Sequence, residues 1–228
     1  MHPDDVQRTQ DEVVRLLNGL ATSYFENRYI DKHGEIHWIA WCCPPFTDDS
    51  HRLYAIARDI TEAKKTQQEL LYQAQHDPLT GLFNRATLEL SVSQAMQRCD
   101  NEAGHQIAII VIDLDGFKAI NDTYGHSAGD QVLKEMARRF KQLKCTGDII
   151  FRAGGDEFVW LVEQENASNL NALVQLITQA LRQPVDYDEM QLNVDGSIGI
   201  SHYPGNALSP RELVQQADAA MYQIKKAR

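Results

Sequence analysis

The feature that most constrains the fold is a pair of apolar, strand-like segments separated by two glycines and two acids, Phe-Arg-Ala-Gly-Gly-Asp-Glu-Phe-Val-Trp at residues 151–160. Glycine adopts positive φ without steric cost, so Gly154 and Gly155 predict a tight hairpin turn. Asp156 and Glu157 follow at once and would lie at the exposed tip. The glycine backbone could also lie flat against a ligand. Taken alone, the pattern is most typical of a solvated hairpin with an acidic tip.

A second acidic element strengthens a functional interpretation. Residues 107–112 form the apolar run Ile-Ala-Ile-Ile-Val-Ile, typical of a buried strand, and Asp113, Leu114 and Asp115 follow it. Asp113 and Asp115 are two residues apart, so their side chains project from the same face of a strand. Ligands of open α/β sheets bind near strand ends. Carboxylates from two such elements can hold Mg²⁺, which takes oxygen ligands and shares them with substrate phosphates.

Five segments resemble one family in the same order along the chain. Residues 154–158 spell the motif of the GGDEF family, the diguanylate cyclases, and the others are Asp-Pro-Leu-Thr-Gly-Leu-Phe-Asn-Arg at 77–85, Asp-Leu-Asp-Gly-Phe-Lys-Ala-Ile-Asn-Asp at 113–122, Tyr-Gly-His-Ser-Ala-Gly-Asp at 124–130 and Ala-Asp-Ala-Ala-Met-Tyr at 217–222. The match covers about two thirds of the chain. It implies an α/β (α+β), palm-like nucleotidyl-cyclase fold with a mixed sheet flanked by helices.

The resemblance also implies a reaction and a metal site. Two GTP molecules would be joined to cyclic di-GMP, with release of pyrophosphate. Mg²⁺ or Mn²⁺ would be held by Asp113 and Asp156, by the carbonyl oxygen of Leu114, and with help from Glu157. Either Asp156 or Glu157 would take the proton of the attacking 3′-hydroxyl, and the sequence leaves open which of them does so.

The residues that would bind GTP follow from the same resemblance. Asn121 and Asp130 would recognise guanine, and a carboxylate suits this base because it accepts from both N1–H and the exocyclic amine. Lys118 and Lys225 would face phosphate, His126 could contact the nucleotide, and Gly154 and Gly155 would lie against it. Three of these assignments have a plainer alternative. Asp130 is also an acid favoured near a helix N-terminus, Lys118 a solvated helix lysine, and His126 a structural histidine in a turn.

Two departures from the family pattern affect regulation and phosphate binding. The family's inhibitory site for cyclic di-GMP has an Arg-x-x-Asp motif, but Cys145 stands in place of the arginine, and Asp148 is retained. Cysteine cannot make a charged, bidentate contact, so we expect weak product inhibition. The last helix carries Lys225, but Arg228 stands where the family has glycine and the usual following arginine is missing or displaced.

Hydrophobic periodicity predicts alternating helices and strands after residue 76. Predicted helices cover Asn84–Cys99, Gly129–Leu143 and the neighbourhood of Ser168–Leu181, a hairpin covers Ile149–Glu163 and a strand covers Gln191–Tyr203. A last helix has Ser209 as its N-cap, Pro210 in its first position and Glu212 closing a capping box.

The residues before 61 have a different pattern. A predicted helix over Asp4–Leu20 precedes two strands around the turn at 31–34 and a third strand over Leu53–Arg58. This order resembles the C-terminal half of a PAS sensor domain, so we expect a truncated sensor at 1–60, a linker helix at 61–76 with Thr61 as its N-cap, and a GGDEF domain at 77–228. The helix has a thin apolar stripe, and sensor–cyclase proteins often pair through such helices. Half a PAS domain is too little to enclose a cofactor, so we expect no haem or flavin.

Composition limits the partners. The net charge of −10 disfavours nucleic-acid binding, which needs a basic surface. No apolar run approaches membrane-spanning length, and Cys42, Cys43, Cys99 and Cys145 lack metal-binding spacing, so we expect a cytoplasmic protein without direct membrane contact. The expected partners are GTP, a second copy of the chain and a phosphodiesterase domain in a longer protein. Two alternatives to an active cyclase are a silent GTP-binding regulatory domain and a dimerisation or signal-relay module.

Overall fold

The structure is a computed structural model that describes residues 1–44, 54–102, 104–164, 168–205, 207 and 209–227. It divides into two compact units, Met1–Tyr72 and Gln73–Arg228. In these described ranges, every helix is too short or too polar to cross a bilayer.

The first unit is an antiparallel sheet with helices. A 3₁₀ helix at Pro3–Asp5 leads into α1 (Val6–Leu17), and the strands are β1 (Thr22–Ile30), β2 (Ile36–Cys43) and β3 (Ile56–Asp59), in spatial order β1-β2-β3. The two predicted strands and their turn are confirmed. The predicted first helix was too long at both ends, and Leu53, the predicted start of the third strand, lies outside the described residues.

Two aspartates of this unit make polar contacts next to its helices. The buried carboxylate of Asp5 accepts from Arg28 Nη2 at 2.7 Å and from Arg28 Nε at 2.9 Å, and this contact lowers the pKa of Asp5 to about 2. Helix α2 spans Thr61–Gln75. Thr61 is already the first residue of the helix, so the prediction that it is the N-cap was wrong. The backbone N of Thr61 donates to Asp59 Oδ1 at 2.8 Å. The Asp59 side chain caps the helix instead, because its carboxylate accepts from the backbone amide of Thr61, which has no partner within the helix.

The second unit has one main sheet and one small sheet. Its strands are β4 (Phe83–Asn84), β5 (Gln106–Asp115), β6 (Ile149–Gly154), β7 (Glu157–Gln164), β8 (Val185–Tyr187), β9 (Met190–Leu192) and β10 (Asp195–Tyr203). The main sheet has the order β10-β5-β7-β6-β4, and all its neighbours are antiparallel except the parallel pair β4 and β6. The mixed sheet predicted from the sequence is confirmed.

Helices cover both faces of the main sheet. They are α3 (Arg85–Asn101), α4 (Phe117–Tyr124), α5 (His126–Leu143), α6 (Ser168–Arg182) and α7 (Pro210–Lys226). Strand β5 alternates between the two cores: Ile110 and Ile112 pack with α4, α5 and α6, whereas Ile109 and Val111 pack with α3 and α7. Because both faces are buried, the strand needs an unbroken apolar run.

Two predictions of helix and strand bounds need correction. Helix α5 begins at His126, three residues before the predicted Gly129, because Gly125 has φ 84° and lets the chain leave α4 and enter α5 at once. The predicted strand over Gln191–Tyr203 is two strands, β9 and β10. The N-cap at Ser209 and Pro210 in the first position of α7 are as predicted, and Glu212 N donates to Ser209 Oγ at 3.2 Å.

Candidate active site

The acidic residues converge where β5 ends beside β7. Asp113 is the register partner of Glu157, and the backbone N of Leu114 donates to the carbonyl oxygen of Asp156 at 3.3 Å. Directly opposed residues of an antiparallel pair project to the same face. Asp113 therefore lies beside Glu157 on the face covered by α3 and α7, while the Leu114 side chain is buried in the opposite core.

The hairpin turn lies one residue later than the glycine pair suggests. Gly154 pairs with Glu157, so Gly155 and Asp156 are the two turn residues, and Gly155 has φ 51°. The register between Arg152 and Gly154 is irregular, as in a β-bulge. The turn thus presents the Asp156 carboxylate at the edge of the site, rather than on the following strand.

A lysine from α7 completes the cluster. Lys225 Nζ donates to Asp113 Oδ1 at 2.5 Å, and the Asp113 side chain is only 16% exposed. Next to them, Ser197 Oγ on β10 donates to Asp115 Oδ2 at 3.0 Å. Ser197 could not be expected at this place from the sequence, since nothing marks it apart from its position in a strand.

Burial and mutual repulsion shift the titration of the two hairpin acids. Burial raises the pKa of Asp156, and the charge of Asp113 raises it further. Burial is also the main cause of the raised pKa of Glu157, followed by the charge of Asp218 on α7. Both carboxyls therefore take a proton more readily than exposed acids do, which suits a general base.

The cluster suits a metal that arrives with its substrate. Within the described ranges, no three His, Cys, Asp or Glu side chains come together closely enough to hold an ion by themselves. Mg²⁺ is usually bound through one or two carboxylates plus substrate phosphates. Asp113 and Asp156 provide such a pair, and the Lys225 ammonium on Asp113 shows that a cation is accommodated there.

The residues expected to bind guanine are brought together by two helices. Asn121 lies on α4, and Gly129 on α5 faces it so closely that a Cβ there would be 2.1 Å from Asn121 Oδ1. Asp130 is the next residue along α5 and is exposed. Lys118, near the start of α4, and His126, the first residue of α5, are also exposed, so His126 is helical and not part of a turn.

Arg152 makes a set of hydrogen bonds to the hairpin turn that was not predicted from the sequence. Arg152 donates to the carbonyl oxygen of Gly155 from Nη2 at 2.8 Å and from Nε at 3.0 Å. Its Nη1 lies 3.0 Å from both carboxylate oxygens of Asp77, which also accepts from Thr80 Oγ1 at 2.7 Å. The arginine two residues before the glycine pair was the available signal, because a hairpin tip with free carbonyls needs a donor.

Asp148 has structural partners inside the protein. It is 2% exposed, and its Oδ2 accepts from Trp160 Nε1 and from the backbone N of Cys145, each at 3.1 Å. Burial raises its pKa. Cys145 itself is exposed. The carboxylate that the resemblance would place in an inhibitory site is thus turned into the core.

The first unit contains a small cavity of about 170 Å³, lined mainly by apolar residues of α1, β1 and β2 such as Leu16, Phe25 and Trp41. Ligand pockets are usually about 300–1,000 Å³. The expected absence of haem and flavin stays a prediction.

Comparison with known proteins gives matches for both units. Residues 74–228 match the family described as "Diguanylate cyclase, GGDEF domain", and residues 1–57 match the family described as "PAS fold".

One curated relative is the bifunctional diguanylate cyclase/cyclic di-GMP phosphodiesterase MucR of Pseudomonas aeruginosa. It is 39% identical over 165 residues, which make up 72% of this chain and 24% of MucR. Diguanylate cyclase DgcM of Escherichia coli is 35% identical over 173 residues, 76% of this chain and 41% of DgcM. The chain therefore spans less than half the length of either relative. A crystal structure of a sensory box/GGDEF family protein from Caulobacter crescentus superposes with a TM-score of 0.65 at 36% identity, covering 68% of this chain and 100% of that one.

Proposed function

The chain belongs to the GGDEF domain family of diguanylate cyclases, and from this membership we propose that it condenses two GTP molecules into cyclic di-GMP and two pyrophosphates. The observation that carries the proposal is the pairing of Asp113 with Glu157 across β5 and β7, with Asp156 in the adjoining turn and Lys225 on Asp113. A domain that only relays a signal has no need of carboxylates gathered at a strand end.

The proposed reaction consists of two equivalent transfers. The 3′-oxygen of each GTP bonds to the α-phosphorus of the other, and the bond from that phosphorus to the β-phosphate oxygen breaks. Each transfer releases pyrophosphate, and the hydroxyl proton passes to a carboxylate. Asp156 and Glu157 are the candidate acceptors, since the pKa of each is raised.

Asp113 and Asp156 would hold Mg²⁺ or Mn²⁺, with the Leu114 carbonyl and Glu157 in support. When bound, the ion supplies positive charge to the phosphate oxygens. The protein's own contribution is position: nucleotidyl transfer depends mainly on alignment and charge stabilisation. Lys118 and Lys225 would neutralise phosphate oxygens, and the exposed backbone of Gly154 and Gly155 would lie against the nucleotide.

Asn121 and Asp130 would select guanine. An Asp130 carboxylate accepts from two adjacent donors of guanine, and adenine lacks that pair of donors. Leaving such a group unpaired costs about 1–3 kcal/mol. The proposal therefore includes a preference for GTP over ATP of at least about fivefold.

The direct test is incubation of the purified chain with GTP and Mg²⁺, followed by chromatography of the nucleotides. Asp156→Asn keeps the shape of the side chain but removes its charge, and we expect product formation to be lost. Asp186→Asn, at an exposed position on β8, is the matched control and should leave the rate unchanged.

Full product formation by Asp156→Asn would contradict the assignment of the site. Nucleotide binding without product in the unaltered chain would instead favour a silent regulatory domain. The absence of both nucleotide binding and product would favour a relay module.

A further inference from the structure

Lys225 lies inside the group of acids that the proposed metal would use. Its Nζ donates to Asp113 Oδ1 at 2.5 Å. This hydrogen bond is the largest cause of the raised pKa of Lys225, and the charges of Asp113, Asp156 and Asp115 raise it further. Conversely, the positive charge of Lys225 opposes the rise in the pKa of Asp156. The ammonium is therefore the counter-ion of the whole acidic cluster and not only of one partner.

The position of this lysine is set by rigid packing. Met221, one turn before Lys225, is buried on the side of α7 that faces the sheet, so Lys225 emerges from the same face. The helix backbone lies directly on β10, because a Cβ on Gly199 would be 2.1 Å from the carbonyl oxygen of Ala217. With the helix held this closely, only the lysine side chain itself needs to move to leave Asp113.

We propose that Lys225 is a built-in competitor of the metal: it occupies Asp113 in the nucleotide-free protein and must release this carboxylate before Mg²⁺ or Mn²⁺ can bind there. The proposal rests on the proposed function, since it takes Asp113 as a metal ligand. The ammonium lies at hydrogen-bonding distance from Asp113 Oδ1, so it would repel a divalent ion that binds the same carboxylate. Release of Asp113 would also free the ammonium to face an incoming phosphate.

The neighbouring lysine provides a matched control. Lys226 has the same charge and lies on the same helical turn, but its Nζ is 4.5 Å from the centre of the Tyr222 ring. Replacing either lysine with methionine changes the net charge equally. Any general electrostatic gain in cation affinity therefore occurs in both variants, and only the effect of vacating Asp113 is specific to Lys225→Met.

The test is titration of nucleotide-free protein with Mn²⁺, with the free ion measured by electron paramagnetic resonance. We expect Lys225→Met to bind Mn²⁺ up to about fivefold more tightly than Lys226→Met, the range that a partly exposed ion pair allows. Asp113→Asn in the Lys225→Met background should remove the gain. Equal affinities in the two methionine variants, including a lack of measurable Mn²⁺ binding in both, would overturn the proposal.

Product formation is measured separately, so the two proposals can fail independently. If the unaltered chain makes cyclic di-GMP and the two methionine variants bind Mn²⁺ equally, only the competition is wrong. If Lys225→Met binds Mn²⁺ more tightly but the unaltered chain makes no product, the competition stands and the cyclase assignment fails.

Discussion

Gly129 shows how a residue without a side chain can position one with a proposed role. A Cβ at this point of α5 would be 2.1 Å from Asn121 Oδ1 and 2.9 Å from Asn121 Cγ. We expect Gly129→Ala to displace the Asn121 amide and to raise KM for GTP about tenfold, the effect of one lost polar contact. Stability should change little, because alanine is favoured over glycine in a helix by about 1 kcal/mol and offsets the crowding.

The route of this effect is checked with a double-mutant cycle. If Gly129→Ala acts by moving Asn121, it should add nothing to Asn121→Ala. Additive losses would mean that the alanine acts elsewhere, for example on Phe117, whose Cζ lies 3.1 Å from the position of the new Cβ.

Asp148 is expected to matter for stability. Asp148→Ala removes the acceptor of the buried Trp160 Nε1 and of the Cys145 amide. An unpaired buried donor costs about 1–3 kcal/mol, so urea unfolding should show a loss of that size. Asp148→Asn is the control, since its amide oxygen can still accept, and it should retain most of the stability. Equal losses in the two variants would indicate that the charge, and not the hydrogen bonds, is what matters.

Cys145 leads to a prediction about inhibition by the product. The arginine of the family's inhibitory motif is absent, and the Asp148 carboxylate is turned inward. We expect weak cyclic di-GMP binding in calorimetric titration. Cys145→Arg should tighten it by up to about thirtyfold, the equivalent of about 2 kcal/mol from a charged contact. Sub-micromolar binding by the unaltered chain that is lost in Asp148→Asn would contradict this.

Residue types and spacing were enough to predict which acids lie near each other, but not the contacts between them. Asp113 and Asp115 share a face because β5 continues to Asp115, as the spacing required. The contact between Lys225 and Asp113 joins positions 112 residues apart and depends on how α7 packs against β10. Likewise, the burial of Asp148 depends on Trp160, and nothing in the local sequence specifies that partner.

At the scale of elements, the hairpin turn between β6 and β7 is linked by hydrogen bonds to a residue outside the hairpin. Arg152 links the Gly155 carbonyl to Asp77, and the side chains of Arg152 and Asp77 are only 14% and 18% exposed. We expect Asp77→Asn to weaken the charged part of this link and to let the turn move. Because small misplacements of reacting groups are costly, kcat should fall about tenfold or more with little change in KM.

Arg152→Lys provides the comparison for this prediction. Lysine is charged but cannot contact Asp77 and the Gly155 carbonyl with a planar fork. It should therefore reproduce the loss, and the double variant should be no worse than either single one. An unchanged kcat in Asp77→Asn would show that the turn holds its shape without the link.

Long elements with a regular pattern could be predicted, whereas short elements could not. Strand β5 and helices α3, α5, α6 and α7 have enough apolar positions to reveal their period. The two-residue strand β4 and the three-residue strands β8 and β9 are too short to show any period. Lys118 was considered as a helix residue and does lie on α4, but the bounds of α4 were not predicted, because its eight residues lie between two glycines that suggest a loop.

At the scale of the whole molecule, the net charge of −10 opposes the approach of GTP. The proposed binding of GTP would then depend on local positive charge, here from Lys118, Lys225 and the proposed metal ion. This is also why the acidic composition disfavours nucleic acid as a partner but could not identify a nucleotide substrate: the net charge says nothing about where the individual charges lie.

The stoichiometry of the proposed reaction makes a prediction about assembly. One chain has one set of the residues assigned to GTP, whereas each product molecule needs two GTP. We therefore expect two chains to present their sites to each other, as in a twofold dimer. In such a dimer each transfer uses groups from both sites, so a dimer with one Asp156→Asn chain should be inactive.

This is tested by mixing unaltered and Asp156→Asn chains at constant total concentration, after time for exchange. With equal amounts, random pairing leaves about a quarter of the dimers intact, so the rate should fall to about a quarter of that of the unaltered chain. If each chain worked alone, the rate would fall only to about half. Asp186→Asn in place of Asp156→Asn should cause no fall, which controls for dilution and handling. A strictly proportional fall with Asp156→Asn, under conditions where sedimentation shows exchanged dimers, would show that one complete site is sufficient.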